Sequence, residues 1–160
     1  MQWLNEHVPD LILRPLAAVV CAAILGMDRE RHGKPAGLRT QMMVALGTTI
    51  FTMATMDLHS RETQGAGASV VDPTRVIAGV IGGLGFLGAG SIMQSGGSVR
   101  GLTTASTVWV VGSVGIACGL GEFRLALTAT GFATAILIGV GFLEYRSEML
   151  SDKKKEEADS

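Results

Sequence analysis

Charged side chains are concentrated in one short segment of the sequence, residues 28–34. Acidic and basic residues three or four apart in this segment would share a helix face and could form ion pairs. Two interpretations are open. The segment is a solvated membrane anchor, whose exposed pairs contribute only about 0.2–1 kcal/mol each, or it belongs to a charge network. In such a network, Arg39 and Arg100 would dock against Asp28 or Glu30.

A second polar group consists of Arg100 and the hydroxyls of Thr103 and Thr104, at the start of an apolar segment. Hydroxyls at such a position can cap the helix and bond neighbouring helices, for about 1 kcal/mol or less each. Alternatively, they line a polar cavity together with the glycine-rich segment that precedes them. With the charged segment and a predicted helix start, the candidate functional or interface residues are Asp28, Arg29, Glu30, Arg39, Thr40, Asp72, Arg75, Arg100, Thr103 and Thr104.

Catalytic and metal-binding patterns are absent from the sequence. It has no Gly-x-Ser-x-Gly motif and no Cys-x-x-Cys or Cys/His zinc spacing. Cys21 and Cys118 lie in apolar segments and are predicted to be small buried hydrophobes. The acidic residues lie at helix ends, in loops or in tails, which argues against a carboxylate-lined cation pathway. We therefore expect no catalytic residues, metal site or cofactor, and a net charge of −1 offers no basic field for nucleic acid.

Five apolar segments define the expected fold: residues 11–27, 42–56, 76–93, 102–120 and 125–143. Each is near the roughly 20 residues needed to cross a bilayer, although the second is short. The last three carry no charge, and a helix that is apolar on every side belongs in lipid or in a very large core. We predict an all-α polytopic membrane protein, a bundle of five transmembrane helices over residues 1–145. A polar, disordered tail is expected over residues 146–160.

The orientation of the bundle follows from its basic residues. With five spans, alternate loops share a side, and the side richer in Lys and Arg faces the cytoplasm. We therefore predict that the N-terminus lies outside and that the C-terminus is cytoplasmic. The richer side holds Arg29, Arg31, Lys34, Arg39, Arg100, Arg146, Lys153, Lys154 and Lys155, and the other side holds Arg14, Arg61, Arg75 and Arg124.

The third apolar segment is crowded with glycines: Gly79, Gly82, Gly83, Gly85, Gly88 and Gly90. Glycine costs up to about 1 kcal/mol per position in a helix, so either neighbouring backbones pack closely here or the helix is broken. The spacing predicts that these glycines, and Gly115 with Gly119 in the fourth segment, mediate helix packing inside the bundle or form a homodimer face. Asp72 and Pro73 predict the start of the third helix, as an N-cap followed by a proline.

The sequence resembles the MgtC/SapB family of bacterial inner-membrane proteins over about residues 14–145. The resemblance implies a five-helix inner-membrane domain with a cytoplasmic C-terminus. It also implies a role in adaptation to low magnesium, acid or the host-cell interior. The stretches that carry it, in matching order and spacing, are Gly26-Met27-Asp28-Arg29-Glu30-Arg31, Ala36-Gly37-Leu38-Arg39-Thr40, Asp72-Pro73-Thr74-Arg75, Gly83-Leu84-Gly85-Phe86-Leu87-Gly88-Ala89-Gly90 and Arg100-Gly101-Leu102-Thr103-Thr104-Ala105.

The virulence branch of that family resembles non-enzymatic regulators, linked to Mg²⁺ homeostasis and to restraint of the F-type ATP synthase. Its members carry Asn at Thr103, Cys at Val110 and an ACT-like domain after the last helix, so this chain is expected to be a short, membrane-domain-only member. The leading hypothesis is a regulator that contacts other membrane proteins, or a second copy, within the lipid bilayer. The alternative is a transporter or channel for Mg²⁺ or another small solute, with the glycine-rich segment beside Arg100, Thr103 and Thr104.

Overall fold

Five α-helices form the fold, one at each apolar segment of the sequence, as predicted. The structure is a computed structural model that describes residues 2–64, 72–95 and 97–158. A short antiparallel hairpin lies between the third and fourth helices. In chain order the elements are α1 (Gln2–Arg31), α2 (Leu38–Gln64), α3 (Pro73–Gly90), β1 (Met93–Ser95), β2 (Ser98–Arg100), α4 (Leu102–Leu120) and α5 (Phe123–Ala158).

Four of these helices are long and apolar enough to cross a membrane, namely Asp10–Arg31 within α1, all of α3 and α4, and Phe123–Phe142 within α5. With 27 residues, α2 is also long enough to cross a membrane, but its threonines lower its mean hydropathy. Those threonines face the inside of the bundle, because Thr48, Thr49, Thr52 and Thr55 are all buried. The large apolar side chains that cover the outside of the bundle are exposed, as lipid contact requires.

α4 is the centre of the bundle, because it packs against each of the other four helices. The buried core accordingly joins α1, α2, α4 and α5. Both cysteines belong to this core and are free, as predicted for small buried hydrophobes. α3 lies at the edge and packs on α2 and α4. The core residues are Ala18, Cys21, Ala22, Leu25, Ala45, Val111, Val114, Ala117, Cys118 and Ala126.

Glycines let the backbone of α4 approach its neighbours closely. A Cβ on Gly115 would lie 2.7 Å from the carbonyl oxygen of Ala45, and a Cβ on Gly119 would lie 2.9 Å from that of Thr49. Both distances are too short for any larger residue. The predicted packing role of Gly115 and Gly119 inside the bundle is therefore confirmed, and their partner is α2.

Backbone carbonyls satisfy the threonine hydroxyls buried in this contact. The Thr52 hydroxyl donates to the Thr48 carbonyl at 2.8 Å, one helical turn earlier. The Thr49 hydroxyl lies 2.8 Å from the Ala45 carbonyl and 2.9 Å from the Gly115 carbonyl, so it can bond within α2 or across to α4. A helix with such threonines can lie inside an apolar bundle without leaving its hydroxyls unpaired.

Two segments differ from the sequence-based expectation. α3 ends at Gly90 rather than at residue 93, because the chain turns into the hairpin, in which Met93 pairs with Arg100 and Ser95 with Ser98. The left-handed backbone of Gly97, at φ +84°, suits a tight hairpin turn. In the second segment, α5 continues to Ala158, so the expected disordered tail is helical as far as that residue. Its Glu and Lys residues are strong helix formers.

Candidate functional site

The end of α1 and the start of α2 pack backbone against backbone. A Cβ on Gly26 would lie 2.8 Å from the Leu38 Cα, so only glycine fits there. A carboxylate oxygen of Glu30 accepts a 2.7 Å hydrogen bond from the backbone N–H of Leu38, the first residue of α2. A Cβ on Gly37 would lie 2.7 Å from that same oxygen. Glu30 therefore caps α2 from the preceding helix, where a negative charge is favourable.

Arg29 is a buried cation that ties α1 to α4. Its guanidinium Nη2 donates a 2.8 Å hydrogen bond to the hydroxyl of Thr104, and the two residues are only 6% and 1% exposed. The Arg29 Nε is buried and has no hydrogen-bond partner among the described residues. Because a buried charge with few partners is costly, the Thr104 hydroxyl is important to this arrangement.

Gln41 is a further buried polar residue at this end of the bundle, and it was not among the site residues predicted from the sequence. It is fully buried, and its Nε2 donates to the Ala36 carbonyl at 3.2 Å. Its Oε1 has no partner in the described part of the chain. Its place directly after the Arg39-Thr40 motif was the signal that could have found it.

Of the two interpretations of the charged segment, the network between Arg39 or Arg100 and Asp28 or Glu30 does not form among the described residues. Glu30 is engaged with the start of α2, and Asp28 lies 3.4 Å from the Nδ1 of His32. Within residues 10–63, 72–94 and 97–142, neither arginine forms an ion pair with Asp28 or Glu30. The physical reason is position: the carboxylate of Glu30 is bonded to the backbone at the start of α2, while the side chain of Arg39 is exposed.

The expected polar cavity around Arg100 also differs from what the structure contains. Arg100 lines an open depression of about 530 Å³ on the hairpin, together with Met93, Gln94 and Ser98. Thr103 is exposed, whereas Thr104 points into the bundle toward Arg29. Consecutive residues on a helix point about 100° apart, so these two hydroxyls do not line one cavity.

α3 is an unbroken helix, and most of its glycines touch no other part of the described chain. A Cβ on Gly88 would be 3.5 Å from the Cβ of Ala105 in α4. At the other five glycines, an added Cβ would meet no described atom within 4 Å, apart from its chain neighbours and the nearby backbone of α3 itself. Of the two alternatives predicted for these glycines, packing inside the bundle is found among the described residues only at Gly88. The five others are Gly79, Gly82, Gly83, Gly85 and Gly90.

These exposed glycines lie on two different faces of α3. Gly79 and Gly83 face α2 and line an apolar groove of about 940 Å³ between the two helices, which Arg39 and Thr40 flank. The second face, which we call the outer stripe, turns away from this groove. Its residues repeat at intervals of four, three and four, so they share one face of the helix, and all are exposed. The outer stripe consists of Ala78, Gly82, Gly85 and Ala89.

Asp72 caps α3 and confirms the predicted helix start. Its Oδ1 accepts hydrogen bonds from the backbone N–H of Thr74 at 2.9 Å and from the Thr74 hydroxyl at 2.7 Å, and Pro73 is the first helical residue. The hydroxyl bond, followed by the backbone bond, holds the pKa of Asp72 below its ordinary value. Arg75 lies exposed in the first turn of α3.

At the opposite end of the bundle, Arg14 caps the C-terminus of α4. Its Nη1 donates to the Gly119 carbonyl at 2.9 Å, and its Nη2 bonds Asp10 at 3.0 Å. A cation is favourable at a helix C-terminus, where carbonyl groups lack partners. Gly121 ends α4 in the left-handed conformation, at φ +84°. From the sequence, Arg14 was assigned only to the less basic side of the membrane. Its place just inside an apolar segment was the signal for a partner in the bundle.

No group of three or more His, Cys, Asp or Glu residues that could hold a metal ion occurs in the described ranges. The buried and capping polar residues described above instead bond helix ends and neighbouring helices. Together, the apolar helices, the buried Arg29–Thr104 bond and the exposed face of α3 define a polytopic α-helical membrane protein.

The comparison with known proteins identifies its family. The MgtC family matches residues 16–146, and the chain belongs to it, which confirms the resemblance seen in the sequence. The matched region contains the Glu30 cap, the Arg29–Thr104 bond and all of α3. No solved structure matches the chain significantly.

Three relatives are similar to most of this chain. Protein MgtC of Salmonella typhimurium strain LT2 is 42% identical over 119 residues, which cover 74% of this chain and 47% of that protein. Protein SrpB of Synechococcus elongatus is 36% identical over 137 residues, covering 81% and 74%. The putative magnesium transporter YhiD of Escherichia coli K12 is 36% identical over 126 residues, covering 76% and 56%. The chain thus spans about half the length of the Salmonella protein.

Proposed function

We propose that this protein is a non-enzymatic regulator of other membrane proteins in the bacterial inner membrane. It would act during adaptation to low Mg²⁺, to acid or to the intracellular environment. Membership of the MgtC family supports this physiological setting. The F-type ATP synthase, which the family resemblance suggests, is the first partner to test, and a second copy of the chain is the other.

The observation that carries the proposal is the outer stripe of α3. Each glycine in a helix costs up to about 1 kcal/mol relative to alanine, and no contact with another described part of the chain offsets that cost at Gly82 or Gly85. Small residues at this spacing let another membrane helix approach closely, which is how helices associate in lipid. A helix of another membrane protein on the outer stripe would supply the missing contacts.

Photocrosslinking from Phe86 tests this contact. Phe86 is 80% exposed and lies four residues after Gly82, at the edge of the outer stripe, so a photoreactive phenylalanine analogue there would reach a helix packed on the stripe. The same analogue at Phe132, which is 69% exposed on α5, is the matched control. We expect position 86 to capture one discrete membrane protein or a second copy, and position 132 to capture lipid. Lipid adducts alone at both positions would contradict the proposal.

The proposed orientation has an independent test. The basic residues predict a cytoplasmic C-terminus and an external N-terminus. Single cysteines placed at Ser60 and at Lys34, in a background without Cys21 and Cys118, should differ in their labelling. A membrane-impermeant maleimide applied to intact spheroplasts should label position 60 and spare position 34. The reverse labelling pattern would show that the bundle has the opposite orientation in the membrane.

Transport of Mg²⁺ or another small solute is the alternative, and the name of the YhiD relative favours it. The tight contacts of α4 with α2 at Gly115 and Gly119 argue for a packed bundle centre. Liposomes that contain the purified protein give the test, with an internal Mg²⁺-sensitive dye and imposed gradients. Flux above that of empty vesicles would favour transport over regulation.

A further inference from the structure

We propose that the groove between α2 and α3 binds one anionic phospholipid, with its acyl chains along the groove and its phosphate at Arg39. The groove is separate from the outer stripe, so this inference is independent of the proposed regulatory contact. It assigns a ligand to the face of α3 that carries Gly79 and Gly83.

The shape of the groove suits a lipid chain. Its volume is about 940 Å³, within the roughly 300–1,000 Å³ of small-molecule sites, and its lining is mostly apolar. Gly47, Gly79 and Gly83 form part of its wall, and an added Cβ on any of them would meet no described atom within 4 Å. The absence of side chains at these positions therefore keeps a recess open between two helices.

The charge of the groove is confined to one end. Arg39 and Thr40 belong to the first turn of α2, whereas Phe51 lies three turns further along the helix. In the described part of the chain, Arg39 has no ion pair. The Thr48 hydroxyl, midway along, is bonded to carbonyls of its own helix and adds no open donor. A cation at the end of an apolar groove is complementary to an anionic headgroup followed by acyl chains.

A second copy of the chain fits the groove less well than a lipid. Two copies related by a twofold axis along the membrane normal would place both Arg39 side chains at the same depth and close together. The two like charges would repel each other. An anionic phospholipid instead brings the opposite charge to Arg39.

Native mass spectrometry of the full-length protein tests the charge preference. The purified protein would be exchanged into mixed micelles with phosphatidylglycerol or phosphatidylcholine of identical acyl chains. We expect one phosphatidylglycerol to be retained, with at least fivefold preference over phosphatidylcholine. Arg39→Gln should lower that preference about fivefold, which is the effect of one arginine beside an anionic membrane surface. Arg39→Lys should preserve most of it, and Arg31→Gln, which removes an exposed arginine outside the groove, should leave it unchanged.

A second pair of variants tests the position of the lipid. Gly83→Leu would fill the groove and should abolish retention, whereas Gly82→Leu alters the outer stripe and should retain the lipid. Equal retention of the two lipids, or equal effects of Arg39→Gln and Arg31→Gln, would overturn the proposal. The proposal would also be overturned if the protein formed a dimer without bound lipid and Gly83→Leu dissociated that dimer, because a second copy would then occupy the groove. If crosslinking from Phe86 failed while the lipid was still retained, the result would contradict the proposed regulatory contact and leave the lipid site supported.

Discussion

The guanidinium of Arg29 donates a 2.8 Å hydrogen bond to the hydroxyl of Thr104, which joins two helices whose bonded residues are 75 positions apart. Both side chains are buried, and the Nε of Arg29, which does not take part in this bond, has no hydrogen-bond partner among the described residues. The bond therefore holds a costly charge in place at the point where α1, α2 and α4 meet.

Replacing Thr104 with valine should lower the free energy of unfolding by about 1–3 kcal/mol, because it leaves a buried charged donor without its acceptor. Unfolding of the detergent-solubilised protein by sodium dodecyl sulfate, followed by circular dichroism, measures the change. Thr103→Val, at the exposed neighbouring position, is the matched control and should change stability by less than about 0.5 kcal/mol. Equal effects at the two positions would show that the hydrogen bond contributes nothing specific.

A double-mutant cycle separates the bond from the two side chains that form it. In the Arg29→Met background, Thr104→Val should be much less destabilising than in the wild type, because the buried charge has gone. We expect a coupling free energy of about 0.5–3 kcal/mol between the two sites. Additive effects would contradict the structure at this point.

Gly115→Ala should destabilise the bundle by about 1–3 kcal/mol, because the new methyl group would meet the Ala45 carbonyl and the Thr48 side chain. Gly131→Ala on α5 is the control, since an added Cβ there meets no described atom within 4 Å. That variant should leave stability unchanged or raise it by up to about 1 kcal/mol. The same unfolding titration measures both, and similar results for the two would refute the close contact of α4 with α2.

Gly82→Leu should separate stability from function. The folded chain has open space at this position, and leucine is a better helix former than glycine, so the free energy of unfolding should be unchanged or higher. Crosslinking from Phe86 should nevertheless fall, as should the ability to restore growth of a deletion strain in low Mg²⁺. A variant that complements growth fully would argue against a contact through the outer stripe.

The cap of α3 should weaken in acid. Because the pKa of Asp72 lies below its ordinary value of 3.8, the stabilisation is fully present above that value and is lost as pH falls through the lower folded pKa. Thr74→Val removes the larger cause and should raise the pKa of Asp72 toward the ordinary value. Nuclear magnetic resonance titration of the Asp72 carboxyl carbon measures the shift, with Thr63→Val as control. An unchanged pKa in Thr74→Val would exclude the hydroxyl as its cause.

The sequence predicted the helices well, since hydropathy and capping residues are local signals. α4 occupies residues 102–120 as expected, and Asp72 with Pro73 begins α3. The packing of Gly115 and Gly119 was also predictable, because small residues at that spacing usually face a neighbour.

The sequence did not predict which face of α3 lies inside the bundle. Glycines occur around the whole helix, so no amphipathic pattern distinguishes the buried side at Gly88 from the exposed side at Gly82. For the same reason, Arg29 and Thr104 were both recognised as candidates while their hydrogen bond was not. Such a contact depends on how helices distant in sequence are rotated against each other, and single-helix patterns do not contain that information.

The central place of α4 has a consequence for biosynthesis. The ribosome delivers α1, α2 and α3 to the membrane before α4 has been made. During that interval Arg29, Thr48 and Thr49 lack the helix that later covers them, and polar groups exposed to lipid are unfavourable. Insertion of the fourth helix therefore completes the assembly, and a nascent chain that stops before residue 102 should be a substrate for membrane quality-control proteases.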